Sequence, residues 1–168
     1  PLLSWGWLLI SAALTIFVIF DPGIIGLREI WASAEAEDPL VVNAIASQWQ
    51  WNYEYPQYDL ELEDESPELV IPLGRTVKFV VTSKDVNHGF WIPSFRLKTD
   101  AIPGQARILY LTPNELTDTE ENPMTRVQCA ELCGVGHARM RTAVRVVTEE
   151  EFEAWLAEQG APANMNMG

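Results

Sequence analysis

From Leu2 to Phe20 the chain carries no ionisable side chain, a run of 19 residues after which the hydropathy pattern changes period. At about 1.5 Å rise per residue, a helix of that length spans about 28 Å, close to the hydrocarbon thickness of a bilayer. Trp5 and Trp7 near one end suit an interfacial anchor. A signal-peptide core is the competing reading, and Ala32-Ser33-Ala34 resembles a cleavage site. The run is long for such a core, however, and no basic segment precedes it. A buried globular helix rarely lacks a polar face over so many turns. We therefore expect a transmembrane helix, interrupted at Asp21-Pro22-Gly23 before a second short apolar stretch that ends near Trp31. The chain starts at Pro1 rather than at an initiator Met, so we expect an upstream segment to have been removed or omitted.

Residues 35–39 (EAEDP) form a polar exit, and from Leu40 onward the period is two, with many Val, Ile, Tyr and Trp. Trp49 to Tyr55 alternates aromatic with polar, the pattern of a half-exposed strand. Val77–Thr82, Ile108–Thr112 and Ala143–Val147 read as further strands. Breaks at Pro72, Gly74, Pro93, Pro103, Gly104 and Pro113 are spaced as in an all-β sandwich. Thr148-Glu149-Glu150-Glu151 is a capping box, and Phe152, Trp155 and Leu156 follow at helical spacing, with Gly160 placed to close a short helix. The expected organisation is a transmembrane helix and exit segment over 1–34, a β domain over 35–160 and a flexible tail over 161–168.

The net charge is −13, none of it in residues 1–20. Such a surface repels nucleic acid, and it either steers a basic partner from a distance or is a solvated acidic face with no partner. Nucleic acid is thus excluded as a partner, and membrane lipid is expected around the N-terminal helix.

The chemistry gathers in one segment, Gln128 to Met140, which reads C-x3-C-x3-H-x2-M. Cys129 and Cys133 are the chain's two cysteines, and His137 is one of its two histidines. Thiolates, an imidazole and a thioether (Met140) are soft or borderline donors, the set that selects copper. Gly134 and Gly136 let the loop curl so that its donors converge. His88, at the turn after Val77–Thr82, can face this loop from an adjacent strand. A single blue-copper site needs one Cys, two His and an axial donor, and this set has a second Cys. Two thiolates can bridge two copper ions, each then taking one histidine and one weak axial donor. Met140 supplies one of these, and a loop carbonyl, that of Glu131, the other. A zinc site of Cys129, Cys133, His88 and His137 is chemically acceptable but leaves Met140 idle. A Cys129–Cys133 disulfide leaves the histidines idle.

Three blocks carry a family resemblance: Gln48-Trp49-Gln50-Trp51-Asn52-Tyr53-Glu54-Tyr55; Asn87 to Pro93 with Leu97 to Gly104; and the Cys129–Met140 loop. Over residues 40–158 the chain resembles subunit II of the cytochrome c oxidases, in the haem-copper oxidase family. The resemblance implies an all-β, cupredoxin-like Greek-key sandwich after the transmembrane helix, with a short C-terminal helix. It implies a binuclear CuA centre on the outer side of the membrane, with His88, Cys129, Glu131, Cys133, His137 and Met140 as ligands. It further implies electron delivery by cytochrome c or another haem c donor through Trp49, and onward transfer to haem in subunit I. A magnesium ion on the Glu131 carboxylate and an interface position for Asp100 are also implied. Donor docking on Glu54, Asp59, Glu61 and Asp85 is an expectation from charge.

The chain departs from the family in showing one transmembrane helix where two are usual, and residues 1–20 offer no carboxylate for proton uptake. No haem-binding C-x-x-C-H is present. Readings from other classes are a membrane-tethered copper-binding protein and the electron-input domain of a nitrogen-oxide reductase.

Overall fold

The computed structural model describes residues 1–62, 64 and 67–161, and the chain divides into two units, Pro1–Glu37 and Asp38–Gly168. Most of the expected tail lies outside the described residues.

The first unit is helical. α1 (Leu2–Val18) and α2 (Ile25–Ala34) flank an irregular turn over Ile19–Ile24. The interruption expected at Asp21-Pro22-Gly23 is there: Asp21 leaves helical geometry at φ −133°, ψ 108°. Pro22 has no amide hydrogen to give the preceding turn, and its ring disfavours helical geometry in the residue before it. Leu2–Ala34 is long and apolar enough to cross a membrane, and its apolar side chains are bare of protein cover.

The second unit is a two-sheet sandwich. Its strands are β1 (Leu40–Ser47), β2 (Gln50–Tyr55), β3 (Leu60–Leu62), β4 (Leu69–Pro72), β5 (Val77–Ser83), β6 (His88–Ile92), β7 (Leu97–Ala101), β8 (Arg107–Leu111), β9 (Thr117–Asp118), β10 (Arg126–Cys129) and β11 (Arg141–Val147). One sheet runs β3-β2-β1-β5-β8; the other runs β4-β11-β10-β6-β7, with β9 beside β11. β1 lies parallel to β5 and β11 parallel to β4, so the chain crosses between sheets rather than folding as successive hairpins. This is the cupredoxin-like architecture.

Alternation builds the core between the sheets. β2 turns Trp51, Tyr53 and Tyr55 inward, all fully buried, while Gln50 and Glu54 are half-buried on the other face. Trp51 and Phe79 from the first sheet meet Phe90 of the second edge-on or tilted, each pair with ring centroids 5.4 Å apart. Aromatic pairs in such geometry contribute about 0.5–1.5 kcal/mol beyond burial.

The C-terminal helix forms as expected. α3 (Glu149–Glu158) starts on a capping box in which Thr148 Oγ1 accepts from the Glu151 amide and the Glu151 carboxylate accepts from the Thr148 amide. Phe152 and Trp155 pack against Tyr55, Trp155 with ring centroids 5.3 Å away, and Gly160 turns the chain at φ +77°. Thr148→Ala is expected to cost about 1 kcal/mol of stability, read as a lower melting temperature of the metal-free chain with its metal uptake unchanged.

Candidate metal centre

The site sits where β6, β10 and the β10–β11 loop meet. β6 and β10 are neighbours with Cys129 paired to Phe90, which brings His88, the first residue of β6, level with the start of the loop. His88 therefore opens a strand of its own rather than closing the turn after β5. Gly89 is required at this crossing. A Cβ there would lie 2.8 Å from the Ala130 carbonyl carbon and 2.9 Å from the Glu131 amide nitrogen. The loop is pinned at its base by Cys129 N–H donating to Met140 O at 3.0 Å, and Ala130 N–H to Gly89 O at 2.9 Å.

Inside this frame the donors converge. His88, Cys129, Cys133 and Met140 are all buried, and His137 is half-buried. Among the described residues, His88, Cys129 and Cys133 form a group whose ligand atoms lie within 4.8 Å of one another. The two Sγ atoms are 3.7 Å apart and the cysteines are free. His88 Nδ1 lies 3.2 Å from Met140 Sδ. Cys129 Sγ stands 3.9 Å from His88 Nδ1 and 3.2 Å from the Glu131 carbonyl oxygen. Cys133 Sγ stands 3.7 Å from His137 Nδ1 and 3.8 Å from Met140 Sδ. Burial, together with the neighbouring Cys129 thiol, pushes the Cys133 thiol up to about 12. A metal taken up as a thiolate complex must therefore displace protons.

Sequence reasoning named Asp85 and Gln48 but missed their contacts with the donor group. Asp85 Oδ1 accepts from His88 Nε2 at 2.9 Å, and Asp85 Oδ2 accepts from the Gln48 amide at 2.7 Å. Burial disfavours the charge on Asp85, but hydrogen bonds from His88 and from the Gln48 and Val86 amides outweigh it and hold the carboxyl below its usual range. Gln48 Nε2 donates to the Cys133 carbonyl at 2.8 Å. The signals that were available are an Asp three residues before a histidine and an amide beside Trp49.

Trp49 precedes β2 and is 38% exposed. Its Nε1–H donates to the Cys133 carbonyl at 3.0 Å, and its ring lies on Gly136. The two loop glycines thus have different causes. Gly134 adopts φ +115°, which side-chain-bearing residues avoid, whereas Gly136 has an ordinary φ of −89° and is glycine because a Cβ would fall 2.4 Å from the indole. Leu132 and Val135 project from the same loop, 78% and 90% exposed.

The remaining expected residues are more dispersed. The Glu131 side chain is exposed, and Asp100 is exposed on β7, where it pairs with Gly89. Glu54, Asp59 and Glu61 gather on the β2–β3 hairpin, with Glu54 bound by Asn43 Nδ2 at 2.7 Å. Of the four expected docking carboxylates, Asp85 alone is hydrogen-bonded to His88 of the donor group and to the Gln48 amide before Trp49.

The family described as cytochrome C oxidase subunit II, periplasmic domain, matches residues 59–147. Cytochrome c oxidase subunit 2 of Bacillus subtilis is 38% identical over 124 residues, 74% of this chain and 34% of that protein. The Yarrowia lipolytica subunit 2 is 31% identical over 178 residues, 91% of this chain and 69% of its own length. The Bacillus relative and the Rickettsia prowazekii protein named probable cytochrome c oxidase subunit 2 are matched over only 34% and 45% of their lengths, so the chain spans less than half of each. Among solved structures, the periplasmic domain of subunit II of cytochrome oxidase from Bradyrhizobium japonicum superposes with a TM-score of 0.66. It is 30% identical, over 74% of this chain and 96% of that one. By sequence and by fold, the chain belongs to the cytochrome c oxidase subunit II family.

Proposed function

We propose that the chain is the electron-input subunit of a proton-pumping terminal oxidase, anchored in the membrane by its N-terminal helix, with a binuclear CuA centre in the outer-side β domain. The family implies copper, and the residues present fit it. One observation carries the binuclear reading: each thiol lies against one donor of each pair. Cys129 abuts His88 and the Glu131 carbonyl, and Cys133 abuts His137 and Met140. His88 with Met140 would serve one ion and His137 with the Glu131 carbonyl the other, both cysteines bridging.

Held by His88, Cys129, Glu131, Cys133, His137 and Met140, such a pair would supply one-electron redox chemistry with little rearrangement, which suits relay from cytochrome c to haem in subunit I, where oxygen would be reduced to water. The chain's own residues hold this arrangement still and connect it to the surface. The base-of-loop hydrogen bonds fix the sulfurs, and burial of His88, Cys129, Cys133 and Met140 excludes water from them. Trp49 is partly exposed and donates a hydrogen bond to the Cys133 carbonyl, which would give a docked donor a short bonded route to the Cys133 sulfur. Leu132 and Val135 give the donor an apolar rim, within the field of an acidic chain. The exposed carboxylates of Glu131 and Asp100 remain for a magnesium ion and for subunit I.

A zinc site is disfavoured by the same geometry. Met140 Sδ is packed 3.2 Å from His88 Nδ1, where zinc has no use for a thioether, and His137 stands outside the His88–Cys129–Cys133 group.

The full chain in detergent, loaded with copper, should be purple and bind copper in pairs. Its electron paramagnetic resonance pattern should be richer than that of a single copper nucleus. A colourless protein holding a single zinc would overturn the proposal. Trp49→Phe should slow electron uptake from cytochrome c by roughly tenfold and leave the copper spectrum intact. Collapse of the spectrum would make Trp49 structural. Co-purification with a haem-bearing subunit separates this function from that of a tethered copper carrier, whose metal would pass readily to a chelator and ignore cytochrome c.

A further inference from the structure

We infer that Asp85 is a positioning residue for the centre, one oxygen setting the tautomer of His88 and the other holding the turn that carries Trp49. The inference rests on the copper-centre reading above and deepens it.

His88 is fully buried, with a carboxylate on one ring nitrogen and sulfur on the other. Nε2 faces Asp85 Oδ1 at 2.9 Å, and Nδ1 faces Met140 Sδ at 3.2 Å, with Cys129 Sγ at 3.9 Å. A carboxylate only accepts, so the imidazole proton must sit on Nε2, leaving the Nδ1 lone pair aimed into the sulfur cluster. The edge of Trp51, with ring centroids 6.3 Å apart, limits rotation of the ring. The same carboxylate reaches across the fold: Oδ2 takes the amide of Gln48, 37 residues earlier, at 2.7 Å. Gln48 immediately precedes Trp49, and its own side chain shares the Cys133 carbonyl with the Trp49 indole. Asp85 is itself held by its neighbours, since Oδ1 also accepts from the Val86 amide at 2.6 Å and Ser83 Oγ accepts from the Asp85 amide at 3.2 Å. One carboxylate therefore ties the innermost histidine to the most exposed aromatic of the site.

The acceptor count makes this specific. An amide at position 85 has one accepting oxygen and one donating nitrogen. If its nitrogen faces His88, the proton is driven onto Nδ1 and the lone pair meant for metal is blocked. If its nitrogen faces the Gln48 amide, two donors oppose each other and the Trp49 turn is released. Asp85→Asn cannot satisfy both contacts.

The test uses Asp85→Asn in the full chain, in detergent, with Trp49→Phe alongside. In the metal-free chain, nitrogen-15 NMR of the imidazoles reads the tautomer directly, and the chain has two histidines to assign. We expect wild-type His88 to be protonated on Nε2. In Asp85→Asn we expect either loss of that tautomer or, with the tautomer kept, electron uptake as slow as in Trp49→Phe. After copper loading, the variant should show a raised reduction potential, because a negative charge beside a ligand has gone. Its uptake from cytochrome c should be slowed roughly tenfold. An unchanged tautomer together with wild-type potential and uptake rate would overturn the inference, even if the melting temperature fell, since Asp85 would then be only a turn cap. A wild-type chain that takes up no copper pair would overturn the function proposed above, while the metal-free tautomer measurement would still decide the role of Asp85.

Discussion

Cys129→Ser or Cys133→Ser is expected to abolish the purple colour and the paired-copper resonance signal while leaving the β sandwich folded. Each sulfur lies between the two donor pairs. Cys129 is 3.9 Å from His88 Nδ1 and 3.2 Å from the Glu131 carbonyl, and Cys133 is 3.7 Å from His137 Nδ1 and 3.8 Å from Met140 Sδ. In the proposed paired centre, losing either would therefore remove a donor shared by both half-sites rather than one ligand from one ion. A serine hydroxyl is a hard, weakly acidic donor and does not replace a soft thiolate on copper. The fold should tolerate the change. In Cys129→Ser the new hydroxyl finds the Glu131 carbonyl already in place, so it need not carry the ~1–3 kcal/mol penalty of an unsatisfied buried polar group. Absorption, copper stoichiometry and circular dichroism, measured together on the full chain, check this. A variant that keeps a paired-copper spectrum would show that its cysteine is not a bridge. A variant that unfolds would show that the thiol's packing, not its chemistry, had been tested, and the other cysteine would then decide.

The donor set was legible in the sequence because its spacing is local. Cys129, Cys133, His137 and Met140 lie within one short loop, and soft donors in that order have few other uses. His88 was legible as a candidate but not as the opening residue of β6, because its strand partner is fixed by pairing with β10, across 41 residues of chain. The longer strands, β5, β8 and β11, were readable from apolar alternation. β3, β9 and β10 were not, since segments of two to four residues carry too little pattern to show a period. Crossovers such as the parallel β1–β5 and β4–β11 pairings are absent from any local signal. Trp49 shows the limit most directly. Period two continued backward from Trp51, Tyr53 and Tyr55 would bury it in the core, yet β2 begins at Gln50 and Trp49 turns out onto the loop glycines. Asp85, expected as a surface docking charge, is exposed and also engages His88 and Gln48, because partners 3 and 37 residues away converge on it only in the folded chain.

Gly136→Ala should slow electron uptake at least as much as Trp49→Phe, although it adds only a methyl group and alters no ligand. The backbone at Gly136, φ −89° and ψ 0°, has the negative φ of side-chain-bearing residues at the third position of type I turns, so it does not by itself demand glycine. Its cost is steric and falls on one neighbour. The new Cβ would lie 2.4 Å from two carbons of the Trp49 ring and 2.8 Å from its Cβ. The indole has to move off the loop, because the loop is pinned at its base by the Cys129–Met140 and Ala130–Gly89 hydrogen bonds. When it moves, the Nε1–H bond to the Cys133 carbonyl is lost, while Gln48 Nε2 still satisfies that oxygen. The ligands thus stay paired and the copper spectrum should change little, while uptake from cytochrome c should fall by roughly ten- to a hundredfold. The double variant Gly136→Ala with Trp49→Phe should be no slower than the worse single variant, because both act through the same ring. Additive losses would mean that Gly136 serves the donor or the centre independently of Trp49. A wild-type rate in Gly136→Ala would mean that electrons reach the centre by a route that does not pass through the indole.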